Sequence, residues 1–281
     1  MSAGCRAVLL LMGSAAAAGA AAAAAPAGSA ALPAGAPSAH LQAPFDPTGY
    51  WVSIITEDWR FRMVVPGKGE YDGIPISLAA KQFADAWSPA TDEAAGRQCK
   101  AYGAGAIMRV PGRLHITWQN DDTLRVDTDA GMQTRLLRFV PSPADTAAAP
   151  SLQGFSVAKW FIHPTGFVDS DPALRGPGVS PPPGPAPSPA RAPGPRYGWL
   201  KVTTDHLLPG YLRKNGVPYS GQATMVEYWE QHTAPGGAQW LIVSTTLDDP
   251  RYLQSPYVFS PNFRKEPDGS KWDPAACSLR W

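Results

Sequence analysis

Apolar and polar residues alternate most regularly between Arg113 and Phe139. Leu114, Ile116 and Trp118 take one face against Arg113, His115 and Thr117; after Asn120-Asp121-Asp122 the alternation resumes with Leu124 and Val126 against Arg125 and Asp127. A period of two marks a strand, so this stretch predicts strand, turn, strand, and Ala130-Gly131 leads into a third strand over 132–139. A meander with one apolar face must be covered by more sheet or by a helix.

The same pattern predicts strands at 50–55, 59–65, 154–162, 197–204, 223–232, 239–247 and 257–263. In 59–65, Trp59, Phe61, Met63 and Val65 share a face. A single short helix is predicted at 76–87, carrying Leu78, Phe83 and Trp87 and stopped by Ser88-Pro89. Residues 91–102 read as a loop presenting Cys99. Residues 208–221 read as a second loop, with an Asn215-Gly216 turn and with Tyr211, Arg213 and Tyr219 as amphipathic groups. About nine or ten strands joined mostly by short connections predict a mainly all-β fold, and an antiparallel barrel leaves no open edge.

Arg6 followed by Ala7-Val8-Leu9-Leu10-Leu11-Met12 and an alanine tract has the order of a secretory signal, which sets 1–25 as a cleaved leader and leaves no integral membrane span. Ala, Pro, Gly and Ser dominate 26–44, a tether too poor in apolar surface to fold, so folded chain is expected from Phe45 to the end. Within that single domain, Pro and Gly dominate about 170–196, a disordered insertion. Without the leader the cysteines are Cys99 and Cys277, and a bridge between them suits export to periplasm or medium. The 24 basic and 23 acidic residues are interspersed, which removes nucleic acid as a partner.

Gly49-Tyr50-Trp51 on the first strand resembles the G-x-W opening of lipocalins, although their T-D-Y signature is absent. The resemblance implies a barrel that carries a small apolar molecule, with Arg264 as the candidate for the arginine that packs over the lipocalin tryptophan. The strings TGYWVSIITEDWRFRM, DEAAGRQCKAYGAGAIMRVPGRLHITW and PGYLRKNGVPYSG resemble an uncharacterised family of exported bacterial proteins, which implies export and brings no activity.

The chain lacks G-x-S-x-G, H-E-x-x-H and C-x-x-C, which weighs against common hydrolase, zinc-protease and thiol-redox chemistry. His115, His206 beside Asp205, and His232 near Glu230 read as surface groups and not as ligands. The aromatic residues are the stronger lead. Of the 10 tryptophans, Trp51, Trp59, Trp87, Trp118, Trp160, Trp199, Trp229 and Trp240 fall on predicted strands and the helix. A planar guanidinium orients an acid group well. The expected ligand set is therefore Trp51, Trp59, Arg60, Arg62, Trp118, Arg213, Tyr228 and Trp229, for a small apolar or aromatic ligand bearing an acid group. No metal, cofactor or catalytic residue is assigned. Two alternatives stay open: an enzyme with an acid/base site at the barrel mouth, drawing on Tyr211, Arg213, Tyr219, Glu227, Asp205 and His206, and an accessory protein that docks on another exported protein.

Overall fold

A computed structural model describes residues 37–163 and 197–280. The leader, most of the tether and the proline-rich insertion lie outside the described residues. The central alternation becomes β2 (Arg113–Asn120), β3 (Thr123–Thr128) and β4 (Thr134–Arg138), preceded by β1 (Gly49–Ile54) and followed by β5 (Phe155–His163) and β6 (Tyr197–Asp205). A short hairpin, β7 (Gly210–Tyr211) and β8 (Pro218–Tyr219), precedes β9 (Thr224–Thr233), β10 (Gln239–Asp248), β11 (Tyr257–Phe259) and β12 (Asn262–Glu266).

Apart from the hairpin these strands form one sheet, ordered β11-β10-β12-β1-β2-β3-β4-β5-β6-β9, and β9 returns to pair with β10. β11 and β12 lie end to end on the same edge of β10, broken at Ser260-Pro261, so the ten strands close a ring with nine positions. A nine-membered ring cannot alternate direction all the way round. One neighbouring pair must run parallel, and β4–β5 does so, through Leu137↔Ser156 and Arg138↔Val157. The other pairs in the ring are antiparallel. The expected antiparallel barrel is thus corrected to a mixed one. A parallel pair needs a crossover longer than a tight turn, and the segment holding Pro141, Pro143 and Pro150 supplies it.

Inward-facing residues fill the barrel. Trp51, Ile116, Leu124, Val126, Leu137, Leu200, Val202, Trp229, Leu241, Val243 and Phe263 form one buried cluster. Alternation brings Arg135 and Glu227 inside as well, at 1% and 0% exposure. The guanidinium donates two hydrogen bonds to the carboxylate, at 3.0 and 2.6 Å, and Ser156 and Thr204 share a further bond at 2.8 Å beside it.

Other expectations need correction. Trp59–Met63 is a helix (α2), not a strand: Asp58 adopts a left-handed φ of 46° and turns the chain, so Trp59 and Met63, spaced one helical turn apart, both point outward. The expected helix forms over Leu78–Ala86 (α3), but its inner face is Ala80 and Ala84, while Leu78 and Phe83 are exposed. It is not alone, since short helices also form at Pro89–Ala94 (α4), Ala104–Ile107 (α5) and Pro143–Thr146 (α6), with a 3-10 turn at Gln98–Tyr102. Packed chain begins before Phe45. Ala39–Gln42 is a helical turn (α1) whose His40 ring stacks on Trp118 at 4.7 Å, and the Ala39 carbonyl accepts from the Trp160 indole at 2.9 Å. The cation over Trp51 is Lys265, at 5.3 Å; Arg264 is exposed.

Cys99 and Cys277 are bonded, which ties the 3-10 turn to the C-terminal segment across 178 residues. Closing so long a loop stabilises by about 5 kcal/mol in the chain-entropy view. Among the described residues no helix is long and apolar enough to cross a membrane.

The buried ion pair generates a stability prediction. Glu227→Leu alone strands the Arg135 guanidinium and should cost about 3–5 kcal/mol in urea unfolding. The double variant Arg135→Met/Glu227→Leu should recover most of that loss, because a desolvated pair gains little over apolar groups of similar volume. Equal losses in the single and double variants would contradict this reading of the barrel interior.

Candidate anion-binding cleft

Beyond the barrel end where β1 stops and β2 starts, residues 57–111 and the β7–β8 hairpin pack on a second apolar cluster, which includes Tyr71, Leu212, Val217, Tyr219, Leu253, Tyr257 and Phe259. The hairpin tip is wedged into this cap. Asn215 donates to the carbonyls of Gly67 and Glu70 at 3.1 and 3.0 Å. Gly216 sits at φ 81°, where a Cβ would lie 2.4 Å from the Trp87 ring, so the turn needs glycine for both conformation and space. The tip thereby carries Arg213 and Lys214 inward, to 5% and 7% exposure, instead of presenting them on a surface loop.

They meet Arg62 from α2 and Arg109, which follows α5, around a cavity of about 30 Å³ that Phe61, Ala106, Pro111 and Leu212 also line. Arg62 is 3% exposed; its Nε donates to the Arg109 carbonyl at 2.8 Å and one terminal nitrogen to Ser53 Oγ at 3.3 Å. Arg109 bonds Asp58 at 2.8 Å and Glu57 at 3.4 Å. Arg213 stacks on Phe61, with its guanidinium carbon 4.2 Å from the ring centroid, and has a longer ion pair to Asp58 at 3.6 Å. Arg62, Arg109, Arg213 and Lys214 thus line one cavity, where Glu57 and Asp58 supply carboxylates to Arg109 and Asp58 also to Arg213.

Several donors here make no well-formed hydrogen bond, Arg62 Nη1 and the Nε, Nη1 and Nη2 of Arg213, although the Tyr257 hydroxyl and the Asp58 carboxylate lie near Arg213. Buried N–H groups without acceptors cost about 1–3 kcal/mol each, more when charged. Burial also pushes the Arg62 guanidinium down to about 10, helped by its neighbour Arg109, and lowers Arg213 in the same way. Lys214 falls to about 8, again through burial.

A larger cleft of about 360 Å³ adjoins the small one and shares Val110, Pro111 and Lys214 with it. Tyr102, Ala130, Ala275 and Ala276 give it apolar walls, Arg113, Arg280, Asp129 and Asp273 add charges of both signs, and the Lys214 ammonium lies 4.9 Å from the Tyr102 ring centroid. The Cys99–Cys277 bridge fixes one wall, because Ala275 pairs with Ala130 and the Tyr102 hydroxyl bonds both backbone groups of Ser278. No protein-family model, curated protein or solved structure matches this chain.

Of the sequence-derived ligand residues, Arg62 and Arg213 line the small cavity. Trp59, on the same helix, is 65% exposed. Arg60 is engaged outside by Glu70. Trp51 and Trp229 are buried in the barrel core, Trp118 is in the stack with His40 and Phe139, and Tyr228 stands over Lys201 on the outer barrel wall. The groups of the acid/base alternative go to separate partners: Tyr211 to Asp92, Glu227 to Arg135, and Asp205 to His206 at an exposed strand end. Arg109, Lys214, Glu57, Asp58 and Phe61 were not foreseen as site residues. The adjacency of Lys214 to Arg213 before an Asn-Gly turn was the one available signal.

Lys214 gives the site a pH signature. Its folded value of about 8 lies below the unfolded value of 10.5, so the penalty for its buried charge is fully present below pH 8 and is relieved as pH rises toward 10.5. The unfolding free energy of the native chain, measured relative to Lys214→Met, should therefore rise over that window, by up to about 3 kcal/mol. A flat difference would mean that Lys214 keeps an ordinary value.

Proposed function

We propose that this chain is an exported small-molecule binding protein whose ligand is an anionic amphiphile, a carboxylate on an apolar or aromatic body. The observation that carries this reading is the pair of buried guanidiniums, Arg62 and Arg213, which border one cavity with Arg62 Nη1 and the Arg213 nitrogens lacking well-formed hydrogen bonds. A carboxylate there supplies acceptors for these donors, and planar guanidiniums match its geometry. The small cavity has room for the acid group alone. The adjoining apolar cleft, within the size range of ordinary ligand sites, takes the body of the molecule.

The protein is lipocalin-like in this proposal only in using a barrel as scaffold. The barrel axis is occupied by Trp51, Trp229 and Phe263, so the ligand binds beside the barrel end and not within it. Export is supported by the signal-like order of residues 1–25 and by the disulfide, which suits an oxidising compartment.

Calorimetric titration of the full chain with an aromatic carboxylate such as phenyllactate, and with its uncharged amide, tests the proposal. The acid should bind about 10–100-fold more tightly, the factor that charge-assisted hydrogen bonds supply. Arg213→Gln should remove most of that preference. Equal affinity for acid and amide would overturn it.

A further inference from the structure

The lysine at the junction of the two clefts extends this reading. Lys214 lines both cavities, and its neighbours in the small one are Arg62, Arg109 and Arg213. Its amine stands over Tyr102, a wall of the larger cleft. A ligand with its acid group on the arginines and its body in the larger cleft would run along the one charged residue that lines both. In the larger cleft the charged neighbours are Arg113, Arg280, Asp129 and Asp273, and it is burial that favours the neutral, nucleophilic amine of this lysine.

Resting on the anion-site proposal above, we infer that the chain binds oxo acids covalently: the Lys214 amine adds to the ligand carbonyl and forms a reversible Schiff base while Arg62 and Arg213 hold the carboxylate. The step balances without any further reactant. The amine nitrogen forms a bond to the carbonyl carbon, the carbonyl oxygen takes two protons and leaves as water, and a C=N bond replaces C=O. Hydrolysis runs the same path backwards and releases the ligand unchanged. Burial holds the Lys214 ammonium near 8, so an appreciable fraction of the amine is neutral in mildly alkaline solution.

The test uses the full chain with phenylpyruvate, which has a carbonyl, and phenyllactate, which has a hydroxyl in its place. Cyanoborohydride reduces any imine to a stable amine, and the adduct is located by peptide mapping. The expected product carries the mass of phenylpyruvate less one oxygen atom. It is expected at Lys214 at least ten times more often than at the exposed Lys68 or Lys81, and excess phenyllactate should suppress it. Adduct spread over exposed lysines, with phenyllactate still bound in calorimetry, would overturn the covalent step and leave the anion site standing. Failure of both acids to bind would overturn the anion site together with the covalent step.

Discussion

A ring with nine strand positions has to break its alternation of direction once, and much of the molecule follows from where it does so. The break falls between β4 and β5, where a proline-rich crossover replaces a hairpin. A filled barrel is the second consequence. Strands of period two send Trp51, Trp229, Phe263 and a row of Leu and Val side chains into a space that they occupy fully, and the Arg135–Glu227 pair takes the remaining polar volume. The arginine-lined cleft lies outside the ring. The cap over the barrel end, pinned by the hairpin tip and the disulfide, makes it.

Electrostatics give that space its character. Cations enter the cleft from three separate segments and are held differently: Arg109 by the Asp58 and Glu57 carboxylates, Arg62 by a backbone carbonyl, Arg213 by the face of Phe61 and a longer pair to Asp58, while Lys214 stands over the face of Tyr102. A bond to a carbonyl or a ring holds a guanidinium in place without neutralising it. Asp58, in a left-handed conformation rare outside glycine, is positioned to share one carboxylate between Arg109 and Arg213. One carboxylate thus serves two buried guanidiniums.

Much of the barrel was legible in the sequence, because alternation over 113–138, 155–162, 197–204, 224–232 and 239–247 dictates which side chains face inward whatever the strand order. Strand direction was not legible. Two neighbouring strands with apolar inner faces look alike in either sense, and only the ring closure decides. The segment around Trp59 misled for a different reason: Trp-Arg-Phe-Arg-Met alternates like a strand, but the alternation reports nothing when Trp59 and Met63 face solvent and Arg62 is the buried one. Arg62 and Arg213 were recognisable as partners for an acid group. Their convergence with Arg109 and Lys214 was not, since it depends on a hairpin tip meeting a helix about 150 residues away, a contact that local pattern cannot encode.

The claim that most of this rests on is that the arginine cleft holds an anion. Crystals of the full chain grown or soaked in bromide, with data collected at the bromine absorption edge, would examine it directly. An anomalous peak within hydrogen-bonding distance of the Arg62 and Arg213 guanidiniums is the expected result. A cleft that holds only water, or arginines turned out to solvent, would contradict it.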